Sequence, residues 1–503
     1  MFGNILKGFV IALAPVNLLA IFGGTAIGLV MGAFPGLDCT VAAALFIPMT
    51  YALEPTQAIL LLAGMYGGAV YGGQIPAILF RIPGAPEAVM TTLDGYPMAQ
   101  QGKADRALGL GLFYSLFGNV FGGVALLLLA PSLARMALKF GPAEYFALGF
   151  LGMTAIAGLG GKSPIKSLIS GLTGLLLATV GMDQLTGMMR FTFGRLELAN
   201  GIGFIPAVIG LFALAEVLNQ VLKQGLTGTV AEAAVSREDL SKLKIRLPSW
   251  KEIKEYKWIA TANAVIGTWI GVLPGVGATT AAIVGYSQTM RFCKNNENFG
   301  KGDPRGIVAS ETANNAAVGG AMVPLLALGI PGSATTAVML GAFLLHGLKP
   351  GPLLIIEQPG LAYSTMAAIV IGAFAFFGLA FVMVKPFIKL LGLPYPVVAA
   401  IIIAFCAVGS LAMGDIYGLY LALGFALLSF LMDKAGFPTS PIVLGLVLGP
   451  IMEASLRRAL IISGSFTAII TRPITAGLLV FSLISLLAPS IGGIIAKRRS
   501  RSA

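Results

Sequence analysis

The sequence predicts an all-α polytopic membrane protein, and two observations lead to this fold class. The chain is 57% hydrophobic and only 11% charged, with a mean hydropathy of +0.89, whereas a soluble protein needs more charge to cover its surface. Apolar runs recur along the chain, and at roughly 20 residues per span they predict about ten to thirteen crossings, some short enough to be re-entrant. A membrane β-barrel would instead show short segments of alternating polarity.

Basic residues are concentrated in the connecting stretches. The net charge is +12, and the segment "KLKIRLPSWKEIKEYK" (residues 242–257) holds six basic residues against two acidic ones. An excess of lysine and arginine beside membrane spans marks the cytoplasmic side. We therefore interpret the charge as a topology signal and predict no nucleic-acid partner. The three cysteines are widely spaced, which argues against a disulfide framework or a cysteine-based metal site.

A long hydrophilic stretch divides the chain near its middle. It separates an N-terminal membrane repeat (residues 1–222), a polar cytoplasmic linker (223–257) and a C-terminal membrane repeat (258–503). We expect both repeats to lie in the lipid bilayer, because each contains several apolar runs of spanning length.

The two halves present the same features in the same order. The first contains "FPGLDCT" and then "YGGQIPAILFRIPGAP", and the second contains "LPGVGATT" and then "VGGAMVPLLALGIPGSATT". Pro35 corresponds to Pro274 and Pro83 to Pro331, which indicates an internal duplication. Inverted or parallel orientation depends on the number of crossings between the repeats, and we favour inverted repeats. Matching segments interrupted by glycine and proline are typical of secondary transporters.

These interruptions predict broken helices with exposed ends. Proline removes a backbone donor and glycine permits a turn, but irregular backbone survives at membrane depth only where it lines an enclosed or wet cavity. Helix N-termini attract anions, and freed carbonyl groups can hold a small cation. The four breaks therefore predict one site near the bilayer midplane for an anionic solute and a coupling cation. The alternative is that these glycines and prolines only allow close helix packing.

Two groups of residues are candidates for this site. The predicted substrate ligands are the amides and hydroxyls at the breaks together with one arginine: Gly36, Thr40, Gly84, Gly275, Gly277, Thr279, Thr280, Gly332, Ser333 and Arg81. The predicted cation ligands are Asp38, Glu311, Asn314 and Asn315, since intramembrane polar and charged groups default to functional hypotheses. Arg81 can either meet a substrate carboxylate or extend to the membrane interface. Asp94 is expected to cap a turn.

Enzyme chemistry is not predicted. His346 is the sole histidine in the sequence, which excludes a histidine-based zinc site. "GGKS" at residues 160–163 ends like a phosphate-binding loop, but Ile156 occupies the position of its first glycine. The alternative to a coupled transporter is a gated anion channel that uses the same breaks as a filter.

Several long motifs resemble the large membrane subunit of the bacterial tripartite tricarboxylate transporters, and the resemblance covers nearly the whole chain. The motifs are "GAFPGLDCTVAAALFIP", "GMYGGAVYGGQIPAIL", "IPGAPEAVMTTLDGYPMAQQGKADRALG", "GVLPGVGATTAAIVGY", "ASETANNAAVGGAMVPLLALGIPGSATTAVMLGA" and "HGLKPGP". The resemblance implies a permease in the inner membrane that imports carboxylates, driven by a Na⁺ or H⁺ gradient and needing no other cofactor. It implies two partners, a small four-helix membrane subunit and a periplasmic solute-binding protein. It also implies an elevator-type mechanism.

Two residues depart from the pattern of that family. Arg81 stands where a small polar residue, commonly asparagine, is expected, and Asp38 stands where glycine is expected. A negative charge at position 38 suits a cation site better than a carboxylate site. The substrate identity therefore does not transfer directly from the family.

Overall fold

The computed structural model describes residues 1–34, 36–159, 163–183, 185–224, 244–391, 395–412, 416–484 and 486. Within these ranges the chain is almost entirely helical, which confirms the predicted all-α class. A short antiparallel hairpin joins β1 (Gly181–Met182) to β2 (Met189–Arg190), with Gly181 opposite Arg190. Pro35 and most of the polar linker (225–243) lie outside the described residues.

The first half of the chain contains eleven labelled helices. In order they are α1 (Phe2–Ala12), α2 (Pro15–Ala33), α3 (Cys39–Thr50), α4 (Pro55–Gly72), α5 (Gln74–Phe80), α6 (Thr91–Gln100), α7 (Ala104–Ala137), α8 (Pro142–Leu159), α9 (Pro164–Leu177), α10 (Phe204–Val208) and α11 (Ala215–Gln224). A π-helical turn, Ile209–Leu214, joins α10 to α11.

The second half begins with a helix that starts inside the predicted linker. Its helices are α12 (Trp250–Val272), α13 (Gly277–Phe292), α14 (Pro304–Leu328), α15 (Ala334–Leu345), α16 (Pro352–Glu357), α17 (Pro359–Leu391), α18 (Tyr395–Ala412), α19 (Ile416–Lys434), α20 (Ser440–Ser463), α21 (Phe466–Ile470) and α22 (Pro473–Ile484). A capping box between Ser249 and Glu252 sets the start of α12. In such a box two otherwise unpaired backbone donors are satisfied reciprocally.

Seven helical stretches of the described chain are long and apolar enough to cross a membrane. They are Pro15–Ala33, Pro55–Phe80, Ala104–Ala137, Phe204–Leu222, Pro359–Met383, Ile416–Lys434 and Ser440–Ser463. Shorter apolar helices accompany them, and these include α3 and α15. These helices are consistent with the predicted multi-pass membrane protein, while the predicted ten to thirteen crossings stay a prediction.

Glycines set the direction of helix packing in the first half. A Cβ added at Gly24 of α2 would overlap the carbonyl oxygen of Leu61 in α4. Two turns later, a Cβ at Gly32 would overlap the carbonyl oxygen of Ala69. Because both positions advance together, α2 and α4 run parallel, and the short helix α3 must return between them. Small residues that bring backbones this close are the usual interface of membrane helices.

The second half repeats this arrangement. A Cβ at Gly267 of α12 would overlap the carbonyl oxygen of Ala313 in α14, and one at Gly271 would come within 2.6 Å of the carbonyl oxygen of Ala317. Helices α12 and α14 are therefore parallel, and α13 returns between them. Each half thus has the same order of elements: a long helix, a break, a short helix, a long helix and a second break.

Helix α7 connects the two halves. Gly118 packs on the carbonyl group of Thr312 and Gly122 on that of Ala316, so α7 and α14 run parallel. Helix α7 runs antiparallel to the α4–α5 span. Gly111, near the start of α7, contacts the carboxamide of Gln74, whereas Asn119, further along α7, contacts the earlier residue Gly67 of α4. Consequently α2 and α4 run in the opposite direction to α12 and α14.

Asp94 fixes the loop before α14, in line with the expected structural role. Its Oδ1 accepts hydrogen bonds from the backbone N–H groups of Gly300 (2.8 Å), Gly302 (3.0 Å) and Asp303 (2.8 Å). Its Oδ2 accepts one from the Tyr286 hydroxyl at 2.8 Å. One carboxylate of α6 thereby holds the extra polar loop of the second half against the first half.

Ion pairs attach the β-hairpin to α20. Asp183 Oδ2 lies 2.6 Å from Arg457 Nη1, and Arg190 Nη1 lies 2.6 Å from Glu453 Oε1. The pKa of Asp183 is lowered well below its usual range, because its carboxylate accepts the backbone N–H of Leu185 and the guanidinium of Arg457. Hydrogen bonds and a nearby positive charge both favour the ionised carboxylate.

Candidate functional site

The first break brings two segments of the N-terminal half together. Gly36 adopts a positive φ of 88°, which glycine tolerates without strain. Its backbone N–H donates to the carbonyl oxygen of Gly84 at 3.2 Å, so the first and second breaks are in direct contact. Asp38 then caps α3, where its Oδ1 accepts the Val41 N–H at 2.9 Å.

The fourth break forms a second helix start beside the first. Ser333 and Thr336 make a capping box at the N-terminus of α15, and the Ser333 hydroxyl lies 3.1 Å from the Tyr66 hydroxyl of α4. In the first turn of each helix, Thr40 Oγ1 and Thr335 Oγ1 are 3.1 Å apart. The N-termini of α3 and α15, one from each half, therefore meet through their hydroxyl groups.

The third break lies next to the fourth. Gly275 and Gly277 both have positive φ angles, 79° and 71°, and α13 begins at Gly277. A Cβ at Gly277 would lie 3.3 Å from the Ser333 Cβ. Thr279 and Thr280 follow in the first turn of α13 and are half-buried. A third helix N-terminus is thus close to the α3–α15 contact.

Gly84 and Gly332 permit close contacts between the broken segments. A Cβ at Gly84 would overlap the carbonyl oxygen of Gly32, and one at Gly332 would come within 2.8 Å of the carbonyl oxygen of Gly271. These two glycines therefore serve the close packing that was the alternative interpretation. The breaks thus combine tight packing with helix N-termini that start inside the protein.

A cavity of about 330 Å³ opens beside the first and second breaks. Gly36 and Gly84 line it, together with the half-buried side chain of Asp38. Glu216 and Asp433 add two further carboxylates to its lining. In the described part of the chain its lining includes no lysine or arginine. The described lining of this cavity is therefore acidic, and a cation-binding role for Asp38 stays a prediction.

Glu311 forms a separate buried cluster. Its carboxylate accepts hydrogen bonds from the hydroxyls of Thr91 and Ser115, the latter at 3.0 Å, and from Asn314 Nδ2 at 3.4 Å. Asn315 Nδ2 donates to Asn314 Oδ1 at 2.9 Å. These side chains are fully buried. The structure thus brings together three of the four predicted cation ligands.

Asp38 and Arg81 make no described hydrogen bond with that cluster. The hydrogen bonds described for Asp38 are those of the α3 cap. Arg81 ends α5 with a φ of 59°, its side chain is exposed, and its guanidinium carbon lies 5.7 Å from the ring centroid of Tyr96. The structure therefore places Arg81 on an exposed surface, and a substrate contact for this residue stays a prediction.

Several polar residues at the site escaped the sequence reasoning. Thr335 and Thr336 follow the fourth break directly, so the motif "PGSATT" carried a signal for them. The isolated polar residues Gln74, Ser115 and Asn119 interrupt apolar runs, which is itself a functional signal in a membrane span. The contact of Ser115 with Glu311 depends on how α7 and α14 pack.

The fold and this cluster define an α-helical, multi-pass membrane protein with a polar site enclosed between broken helices. The chain belongs to the tripartite tricarboxylate transporter TctA family, whose model matches residues 18–444. The resemblance seen in the sequence motifs is thereby confirmed, and the protein belongs to a family of transport proteins.

Two similar proteins come from Agrobacterium vitis. An uncharacterised 52.8 kDa protein in the TAR-I ttuC' 3' region is 37% identical over 503 residues, which covers 99% of this chain and 98% of that protein. An uncharacterised protein in the TAR-II ttuC' 3' region is 36% identical over 237 residues, which covers 46% of this chain and 97% of that protein. No solved structure matches this chain.

Proposed function

We propose that this protein is the permease subunit of an ion-gradient-driven importer, which carries a tricarboxylate or related carboxylate across the bacterial inner membrane. The contact between Thr40 and Thr335 is the observation that carries the proposal. It joins the N-termini of two short helices from different halves of the chain. Helix N-termini present unpaired N–H groups and a partial positive charge, which together favour a carboxylate.

The substrate site is proposed at the meeting of three helix ends. Its ligands are the backbone amides and hydroxyls of Gly36, Thr40, Gly84, Gly275, Gly277, Thr279, Thr280, Gly332 and Ser333. Asp38 already places a carboxylate on the N-terminus of α3, whereas the α15 N-terminus has a neutral serine cap. The substrate carboxylate is therefore expected at the α13 and α15 ends, with a cation towards Asp38.

The acidic cavity gives a physical reason for ion coupling. Asp38, Glu216 and Asp433 line it, and the charge of Asp38, at the N-terminus of α3, repels an anionic substrate that reaches the adjacent helix ends. A cation that enters with the substrate reduces this repulsion, so binding of the two is cooperative. Na⁺ or H⁺ can play this part, with Asp38, Glu311, Asn314 and Asn315 as the proposed ion-binding residues.

We also infer that the two halves are inverted repeats, which is the architecture that alternating access requires in many secondary transporters. The Ile82 N–H donates to the Pro76 carbonyl oxygen at 3.4 Å, and the Ile330 N–H donates to the Pro324 carbonyl oxygen at 3.2 Å. When Pro83 is aligned with Pro331, Ile82 aligns with Ile330 and Pro76 with Pro324, so the two hydrogen bonds join equivalent residues.

The first and third breaks each contain an equivalent backbone hydrogen bond of their own. The Leu37 N–H donates to the Phe34 carbonyl oxygen at 3.0 Å, and the Val276 N–H donates to the Leu273 carbonyl oxygen at 3.3 Å. Since α2 and α4 run opposite to α12 and α14, the equivalent breaks approach the site from opposite directions. An elevator movement of the broken-helix domain against the other helices is the mechanism we propose.

Membership of the tripartite family supports two further proposals about partners. A periplasmic solute-binding protein delivers the substrate, and a small four-helix membrane subunit completes the permease. The test therefore includes both. Labelled citrate and smaller carboxylates are offered to proteoliposomes that contain the complete system, with an imposed Na⁺ or H⁺ gradient across the membrane.

Accumulation that collapses when the gradient is dissipated would support the proposal and identify the ion. Equilibration without accumulation would contradict it in favour of a channel, because a channel cannot concentrate its solute. Absence of flux for every carboxylate tested would contradict the proposed substrate class. Proteoliposomes without the binding protein are the control for the tripartite requirement.

A further inference from the structure

The β-hairpin and the turn that follows it expose a cluster of large apolar side chains. Residues 181–183 and 185–198 are here called the hairpin segment. Seven of its apolar side chains are between 48% and 86% exposed: Met182, Leu185, Met188, Met189, Phe191, Phe193 and Leu196. The candidate membrane spans of the described chain contain none of them. An exposed apolar cluster outside the spans marks an interaction surface.

Helix directions place the hairpin segment towards the face opposite the linker. Helix α7 begins against the end of the linker, because a Cβ at Gly109 would overlap the Arg246 carbonyl oxygen. It is long enough to cross the membrane, so α8 begins on the opposite face. Glu144 in the first turn of α8 lies 3.5 Å from Arg472, which follows α20. The C-terminal half of α20, which binds the hairpin through Glu453, therefore lies towards that face.

Ion pairs hold the hairpin segment in a fixed position on α20. Arg457 contacts both Asp183 at 2.6 Å and Glu453 at 2.9 Å. Arg190, from the second strand, contacts the same Glu453 at 2.6 Å. Four charged groups thus connect both strands to one helix. A surface that is ordered before binding loses less conformational entropy when a partner docks.

Two phenylalanines of the segment have an unusual backbone conformation. Phe191 and Phe193 have positive φ angles of 52° and 49°, which bulky residues rarely adopt because of steric strain. Their side chains are 62% and 86% exposed, so packing within the described chain compensates little of that strain. A fluid lipid surface accommodates an aromatic ring in any backbone conformation. A fixed conformation therefore favours a protein surface of complementary shape.

The charge of the segment also favours a protein partner over a lipid surface. Two basic residues, Arg190 and Arg195, balance two acidic ones, Asp183 and Glu197. Segments that lie on anionic membranes carry an excess of lysine and arginine, which this segment lacks. Low net charge combined with exposed phenylalanine, methionine and arginine is the composition of protein–protein interface cores.

A cavity beside the hairpin offers a polar contact. It has a volume of about 300 Å³, and its lining includes Met182, Arg190 and Glu453. The Arg190 guanidinium donates to Glu453 through both Nη atoms, whereas its buried Nε has no acceptor among the described residues. An oxygen atom of a partner would satisfy this donor. Phe204 lines the same cavity and packs its ring on Gly341 of α15, so the cavity adjoins a helix of the proposed substrate site.

We propose that the hairpin segment is the docking surface for the solute-binding protein. Phe193 and Leu196 insert into apolar recesses of that protein, and Arg190 Nε donates to one of its carboxylate or carbonyl oxygens. This inference rests on the proposed function, which includes a solute-binding protein on the face opposite the cytoplasmic linker, and adds where that protein docks. Substrate is thereby released close to α15, whose N-terminus belongs to the proposed substrate site.

The test measures the dissociation constant of the purified solute-binding protein for the complete permease, this chain with its small subunit, in nanodiscs. Phe193→Ser/Leu196→Ser is the test variant, and we expect it to fold because both side chains are at least 85% exposed. Loss of two apolar anchors should raise the dissociation constant about tenfold or more. Phe292→Ser is the matched control, since Phe292 is 77% exposed at the end of α13, on the linker face.

Photo-crosslinking identifies what Phe193 contacts. Benzoylphenylalanine replaces Phe193 in one protein and Phe292 in another, and both are irradiated with the binding protein present. An adduct with the binding protein at position 193 alone is expected. Adducts at position 193 with lipid or with the small subunit alone would overturn the proposed surface. An unchanged dissociation constant in the double variant, or no measurable binding to the wild type, would also overturn it.

These outcomes are distinguishable from a failure of the proposed function. Docking that depends on Phe193 and Leu196, without carboxylate uptake by the complete system, would retain the docking surface and reject the transport mechanism. Uptake that requires the binding protein, together with unchanged affinity in the double variant, would retain the transport mechanism and reject the docking surface.

Discussion

Thr40 and Thr335 are 295 positions apart in sequence, yet their hydroxyl oxygens lie 3.1 Å apart at the meeting of two helix N-termini. Each hydroxyl belongs to the first turn of a short helix that follows a proline–glycine break. The contact shows what the interruptions in the apolar sequence accomplish. They end long helices inside the protein and direct the starts of short helices from both halves to one place.

Replacement of either threonine by valine tests whether these hydroxyls bind substrate. Valine keeps the shape, but each single variant leaves the other buried hydroxyl unpaired, at a cost of about 1–3 kcal/mol. The double variant removes both partners, so we expect its thermal stability to change little. A hydrogen bond to a charged group is worth about 1.5–3 kcal/mol, and the KM for carboxylate uptake should therefore rise about tenfold or more in Thr40→Val and Thr335→Val. Thr173→Val is the control, because Thr173 is only half-buried and its hydroxyl donates to the Ile169 carbonyl oxygen of its own helix. An unaltered KM in both variants would remove the hydroxyls from the site.

Alanine at Gly84 or Gly332 tests the close contacts at the breaks. Either Cβ would press on a backbone carbonyl oxygen of α2 or α12, and overpacking of this kind destabilises by about 1–3 kcal/mol. Thermal unfolding in detergent measures the effect. Gly378→Ala on α17 has open space around its Cβ and should leave the melting temperature nearly unchanged. Equal melting temperatures for all three variants would show that the breaks tolerate side chains.

Asp94→Ala tests the attachment of the loop before α14. The substitution leaves the N–H groups of Gly300, Gly302 and Asp303 without their acceptor. We expect a loss of about 3 kcal/mol or more in local stability, measured as faster hydrogen exchange in residues 300–303. Glu297→Ala in the same loop is the control, since Glu297 is exposed. Equal exchange in both variants would contradict the structural role of Asp94.

The β-hairpin should loosen in acid because of Asp183. Its pKa is lowered in the folded protein by the Leu185 N–H and by Arg457, so the stabilisation is complete above the unfolded value of about 3.9 and declines as the pH falls through the folded value. Limited proteolysis of residues 181–190 at decreasing pH measures this. Asp183→Asn should remove most of the pH dependence, whereas Glu197→Gln should retain it. If the two variants resist proteolysis equally across the acid range, Asp183 is not the cause of the pH dependence.

The local features of the fold were predictable from sequence. Proline and glycine mark chain breaks by fixed backbone chemistry. As expected, Gly36 and Gly332 lie between helices and Gly277 starts one. The matching order of motifs also anticipated that the same elements occur in both halves. The start of α12 at Trp250 was missed, because a charged first turn resembles a polar linker in composition.

The partners of each break were not predictable. The sequence aligns Pro35 with Pro274, but the described contacts join the α3 start to the α15 start, through Thr40 and Thr335. Such a contact depends on the packing of long helices from both halves. For the same reason Ser115 gave no local sign that its hydroxyl would contact Glu311. Arg81 was considered for its charge, while its left-handed backbone at the end of α5 turns it towards Tyr96.

The most direct test of the account measures the steady-state ratio of labelled citrate inside and outside proteoliposomes under an imposed Na⁺ gradient, with the binding protein and the small subunit present. Wild-type protein should concentrate citrate above equilibrium and lose the accumulated citrate when the gradient is dissipated. The Thr40→Val/Thr335→Val double variant should fold but fail to concentrate citrate at the same external concentration. Equal accumulation by both proteins would contradict a carboxylate site at the meeting of the α3 and α15 helix ends.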